Sequence, residues 1–231
     1  MKYLPIALIA SSIIIAATTI AFASRKSQTR SPVSIDSIHI VGDSQTLRHI
    51  GQAFQREFSP RIVTYYGKEG AHPSEYLTSP SILEQSLPTH CPDLIYIQLG
   101  DNGIRSSAVV VQLINFYRER CPASKIVWGG PMQAVQPTIP SIYVSNDPDS
   151  PRYLPAYNQM RAIWNARAAE GAEQTNSMFF DNFTIQDEEP LESPFSNRRG
   201  GDGIHLSAEA AAKHASLFRN FLSEYNLSVT S

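Results

Sequence analysis

Five short apolar runs, at 36–41, 61–66 ("RIVTYY"), 93–99 ("DLIYIQL"), 125–129 ("KIVWG") and 177–181 ("SMFFD"), constrain this chain more than any other feature. Each is rich in β-branched or aromatic residues and ends at glycine or polar turn residues, the pattern of a buried strand. Between them lie longer amphipathic stretches that predict helices at 45–57, 73–87, 105–119, 154–170 and 207–224. Ser207 is placed to cap the last, with Glu209 in its first turn. Strand and helix alternating in this way predict an α/β domain around a parallel sheet. There is no internal repeat. Two long polar loops interrupt the alternation: 131–152, and 182–204 with its acidic run "DEEPLE".

The 231 residues, 42% hydrophobic and 17% charged, suffice for one globular domain plus a terminal extension. The extension has its own character. Lys2 precedes an apolar stretch ending in Ala21-Phe22-Ala23, which resembles a signal-peptide cleavage site. Residues 1–23 therefore read as a signal peptide, or alternatively as an N-terminal membrane anchor, since the stretch approaches the ~20 residues that span a bilayer. Residues 24–34 read as a polar linker, and the folded domain is expected over 35–231. Without the leader the chain carries 18 basic and 21 acidic groups, and no basic stripe points to nucleic acid.

In an open parallel sheet, ligands sit beyond the carboxyl ends of the strands. The first predicted strand is followed by Gly42-Asp43-Ser44, the second by Gly67 and Gly70, and the third by Gly100-Asp101-Asn102-Gly103. Asp202-Gly203-Ile204-His205 precedes the last helix. Acyl transfer needs such parts. A serine is a weak nucleophile until a base takes its proton, and a carboxylate at Nδ1 holds the histidine base in the right tautomer. Ser44, His205 and Asp202 fit those roles. Donors for an oxyanion would be the Ser44 N–H, a glycine N–H and the Asn102 amide.

Taken in order, these blocks resemble the SGNH hydrolases, also called GDSL-type esterases, over residues 38 to about 220. Gly42-Asp43-Ser44 matches the first block, Gly70 the second, Gly100-x-Asn102 the third and Asp202-x-x-His205 the last. The sequence departs from the family pattern at Gln45, where the family name has leucine, and at Gly103, where many members have Asp. Gly67 remains an alternative to Gly70 as the source of the oxyanion N–H. The resemblance implies a three-layer α/β/α sandwich with a five-stranded parallel sheet of flavodoxin-like type. It also implies an exported serine esterase that removes short acyl groups, O-acetyl foremost, from carbohydrate through an acyl-enzyme. A lipid or thioester acyl hydrolase, an O-acetyltransferase with the same triad, and a non-catalytic glycan-binding domain are the alternatives.

Asp43, His72 and Asp101 lie in the same loops and are the candidate substrate contacts. Of the aromatics, Tyr65, Tyr66 and Tyr143 could wall a sugar site, whereas Trp128 reads as core, and His39, inside the first strand, reads as a satisfied core histidine. His205 and His214 are out of phase on a helix and do not form a metal pair. No cofactor and no metal is expected. Asn182-Phe183-Thr184 and Asn226-Leu227-Ser228 match the N-glycosylation pattern. Cys91 and Cys121 each precede the third and fourth strands by a few residues. The family's sheet order would make those strands neighbours, about 4.8 Å apart, and so bring the two cysteines within disulfide range opposite the catalytic rim. The expected partner is a small acylated or glycan substrate.

Overall fold

The computed structural model describes residues 31–135, 141–188 and 201–229. The leader at 1–23, most of the linker, and residues 189–200 of the second long loop, with the end of its acidic run, lie outside the described residues. In chain order the strands are β1 (Val33–Ser34), β2 (Ser37–Gly42), β3 (Ile62–Gly67), β4 (Leu94–Gln98), β5 (Lys125–Gly129), β6 (Met178–Phe180) and β7 (Leu227–Ser228). The helices are α1 (Gly51–Glu57), preceded by a π-helical turn at Thr46–Ile50, then α2 (Pro73–Thr78), α3 (Pro80–Gln85), α4 (Ser107–Arg120), α5 (Leu154–Gln174), α6 (Asn182–Glu188) and α7 (Ala208–Glu224).

Five strands form one parallel sheet in the order β3-β2-β4-β5-β6. Successive strand residues face opposite sides, and the burial follows that period. Ile38, Ile40, Tyr96 and Val127 pack on one side with Phe54 of α1 and Phe218 of α7. Val41, Ile95, Ile97 and Trp128 pack on the other with Leu113 and Tyr117 of α4 and Ala168 of α5. The result is the expected three-layer α/β/α sandwich. β4 is buried along its whole length, as befits the central strand. β1 pairs with β7 through Val33↔Leu227 and Ser34↔Ser228, so pairing reaches two residues into the stretch expected to be linker.

Three helix expectations need correction. The helix expected over 73–87 is two helices, because Ser79 before Pro80 is extended (φ −116°, ψ 98°), as residues preceding proline prefer. The first five residues after Gln45 are π-helical rather than α-helical. The loop expected from 182 begins as α6, whose N-terminus is capped by Asp181: its carboxylate accepts from Thr184 N at 3.0 Å and Thr184 Oγ1 at 2.7 Å.

Cys91 and Cys121 form a disulfide with Cα atoms 5.3 Å apart. It ties the chain ahead of β4 to the chain ahead of β5 at the amino end of the sheet. No described helix is long and apolar enough to cross a membrane.

Candidate active site

The chain passes from β2 to β3 on one side and then to β4 on the other side of β2, so strand order reverses at β2. Loops leaving the carboxyl ends of β2, β3 and β4 therefore diverge around one crevice. Ser44 stands at its base, where β2 hands over to the π-helical turn. The handover is tight: a Cβ at Gly42 would overlap the Thr46 hydroxyl and the Gln98 carbonyl. Tyr76 of α2 donates its hydroxyl to the Gly42 carbonyl at 2.6 Å, fixing the junction from the side.

His205 Nε2 lies 3.0 Å from Ser44 Oγ, and its Nδ1 lies 2.7 Å from Asp202 Oδ2. The carboxylate at Nδ1 assigns the ring proton there, leaving Nε2 to accept from the serine. Asp202 Oδ1 meanwhile accepts from the N–H groups of Ile204 and His205, both at 2.9 Å, so the carboxylate and the imidazole share one turn. Partial burial pushes the Asp202 carboxyl up, but the hydrogen bonds from the His205 ring and from these two N–H groups outweigh it, and the group sits below its ordinary range. The charged form that holds His205 is thereby favoured.

Asn102 is exposed at the tip of the loop after β4. Its Nδ2 reaches Asp43 Oδ2 at 3.3 Å and the Ala71 carbonyl at 3.2 Å, both long for hydrogen bonds. The two candidate glycines differ sharply. Gly67 ends β3, and a Cβ there would press on Leu47 N at 2.7 Å and Asp43 O at 2.9 Å. Gly70 has φ +65° with open space where a side chain would go. Gly67 thus serves close packing, and Gly70 turns the loop at the crevice.

Two of the expected substrate contacts are corrected. Asp43 is fully buried: its Oδ1 accepts from Gln45 N at 3.0 Å while Oδ2 takes the Asn102 amide. Burial raises its pKa well above the ordinary value, with the charge of Asp101 adding to the shift. Asp101 is 3% exposed and forms an ion pair with Arg161 of α5. Both carboxylates face inward to hold the loops together and are not presented to a substrate. His72 caps α2, its Nδ1 accepting from Ser74 N at 3.1 Å, and a Cβ at Gly103 would lie 3.4 Å from its Nε2. It is half-buried between the loops after β3 and β4. Burial, and then the charge of Arg105, lowers its pKa.

Tyr143 stands edge-to-face with His205, ring centroids 5.4 Å apart, whereas the Tyr65 ring packs where Gly51 leaves room. Tyr66 packs edge-on to Tyr76, so neither of these two lines the crevice. Trp128 is buried, and His39 pairs with Thr64 Oγ1 at 2.8 Å and the Ser86 carbonyl at 2.9 Å. Asn182 is buried and donates to Gln98 and the Gly130 carbonyl, which leaves its glycosylation pattern inaccessible in the folded chain. No group of three or more His, Cys, Asp or Glu among the described residues could hold a metal ion. A cleft of about 410 Å³ runs along β3 and the amino end of β2, lined by His39, Tyr65, Tyr66 and His90 among others, and none of Ser44, Asp202 and His205 lines it.

No protein-family model matches the chain, and no curated protein matches it in sequence. Solved structures do match in shape. A lipase/acylhydrolase from Enterococcus faecalis superposes with a TM-score of 0.56 at 15% identity, over 85% of this chain and 100% of that one. A GDSL-like lipase from Bacteroides thetaiotaomicron gives 0.53 at 14% identity, over 82% and 89%. A variant of an acetyl xylan esterase from Geobacillus stearothermophilus gives 0.57 at 16% identity, over 87% and 100%. The chain has the SGNH hydrolase fold.

Within that fold, three side chains near the site make contacts that the sequence did not predict. Arg161 shares the inward stripe of α5 with Tyr157, Trp164 and Ala168, spacings of 4, 3 and 4 that could have marked it as buried. Gln45 sits under the His205 loop, hydrogen-bonded to the backbone on both sides of it. Arg48 Nη1 lies 3.1 Å from His205 Nδ1 while its Nε donates to Glu69 Oε1 at 2.9 Å. With the Nδ1 proton directed at Asp202, that approach is donor to donor, so it places a cation against the ring edge and makes no hydrogen bond.

Proposed function

We propose that this protein is an exported serine esterase that removes short acyl groups, O-acetyl foremost, from carbohydrate. The observation that carries the reading is the continuous line from Asp202 Oδ2 through His205 to Ser44 Oγ, at 2.7 and 3.0 Å. In the proposed reaction His205 Nε2 takes the Ser44 proton as Oγ attacks the ester carbonyl. Asp202 stabilises the imidazolium that forms. The carbonyl oxygen becomes an oxyanion, taken up by the N–H groups of Ser44 and Gly70 and by the Asn102 amide. Collapse returns the proton from Nε2 to the leaving alkoxide and leaves the acyl group on Ser44. Water then repeats the sequence, His205 taking its proton, and releases the acid.

The leaving alcohol must lie within reach of His205, because that ring supplies its proton. Tyr143 and Arg48 flank the ring, offering an aromatic face and the guanidinium N–H groups that are not spent on Glu69. Such a set suits a polyhydroxylated alcohol. The acetyl xylan esterase among the similar structures supports the same direction. Export is supported by the apolar leader and by the Cys91–Cys121 disulfide, which is at home in an oxidising compartment.

Two measurements test this. A fluorophosphonate should label the wild-type protein at Ser44, and acetate release from acetylated glycans should exceed hydrolysis of synthetic esters with longer acyl chains. Absence of labelling would favour a glycan-binding domain, and preference for acyl chains of about eight carbons or more would favour a lipid substrate.

A further inference from the structure

The two halves of the site come from distant parts of the chain. Ser44 stands on a strand-to-helix junction, whereas His205 stands on a loop between residues 201 and 207 that has no regular structure of its own. Holding Nε2 3.0 Å from Oγ requires something to fix that loop relative to the junction. Some anchors come from elsewhere: Val135 N donates to the Gly203 carbonyl at 2.9 Å, and Ser141 Oγ donates to the Asp202 carbonyl at 2.6 Å. Both lie on the Asp202 side and belong to the long loop after β5. Neither references His205 to Ser44.

Gln45 does so directly. Its Nε2 donates to the Ile204 carbonyl at 2.8 Å and its Oε1 accepts from Leu206 N at 3.0 Å. These are the backbone groups immediately before and after His205, and the side chain that grips them is the immediate neighbour of Ser44. Gln45 is 1% exposed, so the two bonds form away from competing water. Its own N–H is held by Asp43 Oδ1 at 3.0 Å, which fixes the base from which the side chain projects. A leucine here, the residue in the family name, has the length to fill the space and no group to make either bond.

We propose that Gln45 is a positioning residue that sets the His205 imidazole at proton-transfer distance from Ser44 by clamping the backbone on both sides of it. The proposal rests on the serine-esterase reading. Gln45 touches no reacting atom, and its effect passes entirely through His205. Its loss therefore slows both the attack by Ser44 and the later attack by water, since both require the same base, and leaves substrate affinity alone.

The test compares Gln45→Leu and Gln45→Glu with the wild-type full chain, by fluorophosphonate capture at Ser44 and by steady-state hydrolysis of a short synthetic ester. Thermal melting is followed in parallel. Gln45→Leu should lower kcat and the capture rate together by about ten- to a hundredfold, the size expected for a misplaced catalytic group, with KM unchanged. Gln45→Glu supplies the readout that a purely structural role would not move. While its introduced carboxyl is neutral it can still donate to Ile204 O and accept from Leu206 N; once ionised it loses the donor. The variant-to-wild-type ratio of capture rates should therefore fall as pH rises, in protein that remains folded throughout. This variant carries the test alone should Gln45→Leu fail to fold. A wild-type kcat and capture rate in Gln45→Leu, a rise confined to KM, or a pH-independent ratio in Gln45→Glu would overturn the proposal. No labelling of the wild type would remove the esterase reading and the proposal with it, whereas a labelled wild type with unaffected variants removes the proposal alone.

Discussion

Arg161 donates to both the carboxylate and the main-chain carbonyl of Asp101, so one buried cation holds the loop that presents Asn102. The same guanidinium reaches the Met132 carbonyl, and Met132 N donates back to Asp101 Oδ1 at 3.1 Å. The loops after β4 and β5 are thus joined through a single ion pair from which water is excluded.

Replacing one partner leaves the other charged and unsolvated, which costs far more than the pair contributes when intact. Arg161→Met is expected to destabilise the fold by about 3–5 kcal/mol in urea unfolding. Adding Asp101→Asn should recover part of that loss, because the second substitution removes the stranded charge. Losses that simply add would show the two residues to be energetically independent.

For the triad, Ser44→Ala and His205→Ala are each expected to lower kcat by several orders of magnitude, and the double variant to be little worse than either. A base without its nucleophile, or a nucleophile without its base, does the same nothing. Turnover numbers of the three variants decide it, and multiplicative losses would mean that Ser44 and His205 do not act as a unit.

Asn102 presents a different case, since both of its described amide bonds are long. An amide so loosely held can turn toward an oxyanion with little loss. Asn102→Ala should cost about 10²- to 10³-fold in kcat with KM little changed, because the charge that it binds exists only in the transition state. Kinetics showing a raised KM at constant kcat would assign Asn102 to substrate binding instead.

What the sequence made legible follows from how locally each feature is determined. The strands were readable because Ile38, Ile40, Ile95, Ile97 and their neighbours are apolar on both faces, which only a sheet covered on both sides can accommodate. The residues Ser44, Asn102, Asp202 and His205 were readable because they follow strand ends or precede a helix, where chemistry concentrates in such folds. Burial of the acidic residues was not. Asp43 and Asp101 sit in turns, where carboxylates normally meet water, and only Arg161, 60 residues beyond Asp101, reverses that for the second of them. Gln45 was visible as a departure from a motif, but its partners are 159 and 161 residues away, a distance over which periodicity carries no information. The Asp181 cap was hidden because the residue also ends a strand pattern.

His39 gives the fold a pH dependence of known sign. Burial holds its pKa below the ordinary 6.5, only partly offset by its bond to the Ser86 carbonyl. As pH falls below about 6.5 the unfolded chain takes up a proton that the native ring refuses, so stability is full above that pH and declines below it. The decline cannot exceed about 1.4 kcal/mol per pH unit for one group, and it ends where the native ring protonates. Urea unfolding between about pH 7 and 5 should therefore show a shallower slope for His39→Gln than for the wild type. Parallel slopes would mean that other groups carry the acid sensitivity.

The Cys91–Cys121 disulfide closes a segment with a sequence separation of 30, containing all of β4 and α4. On the chain-entropy account a crosslink of that span stabilises the native state by about 3–4 kcal/mol, through the freedom it removes from the unfolded chain. Both sulfurs lie at the amino ends of β4 and β5, whereas Ser44, Asn102 and His205 lie beyond the carboxyl ends of the strands. Reduction should therefore lower the melting temperature while leaving kcat and KM unchanged at a temperature where the reduced protein is still folded. Cys91→Ser paired with Cys121→Ser should behave in the same way. Thiol titration of denatured, unreduced protein provides the first check and should find no free thiol. A loss of kcat in folded, reduced protein would overturn the expectation, since it would show that the crosslink governs the geometry at the opposite end of the sheet.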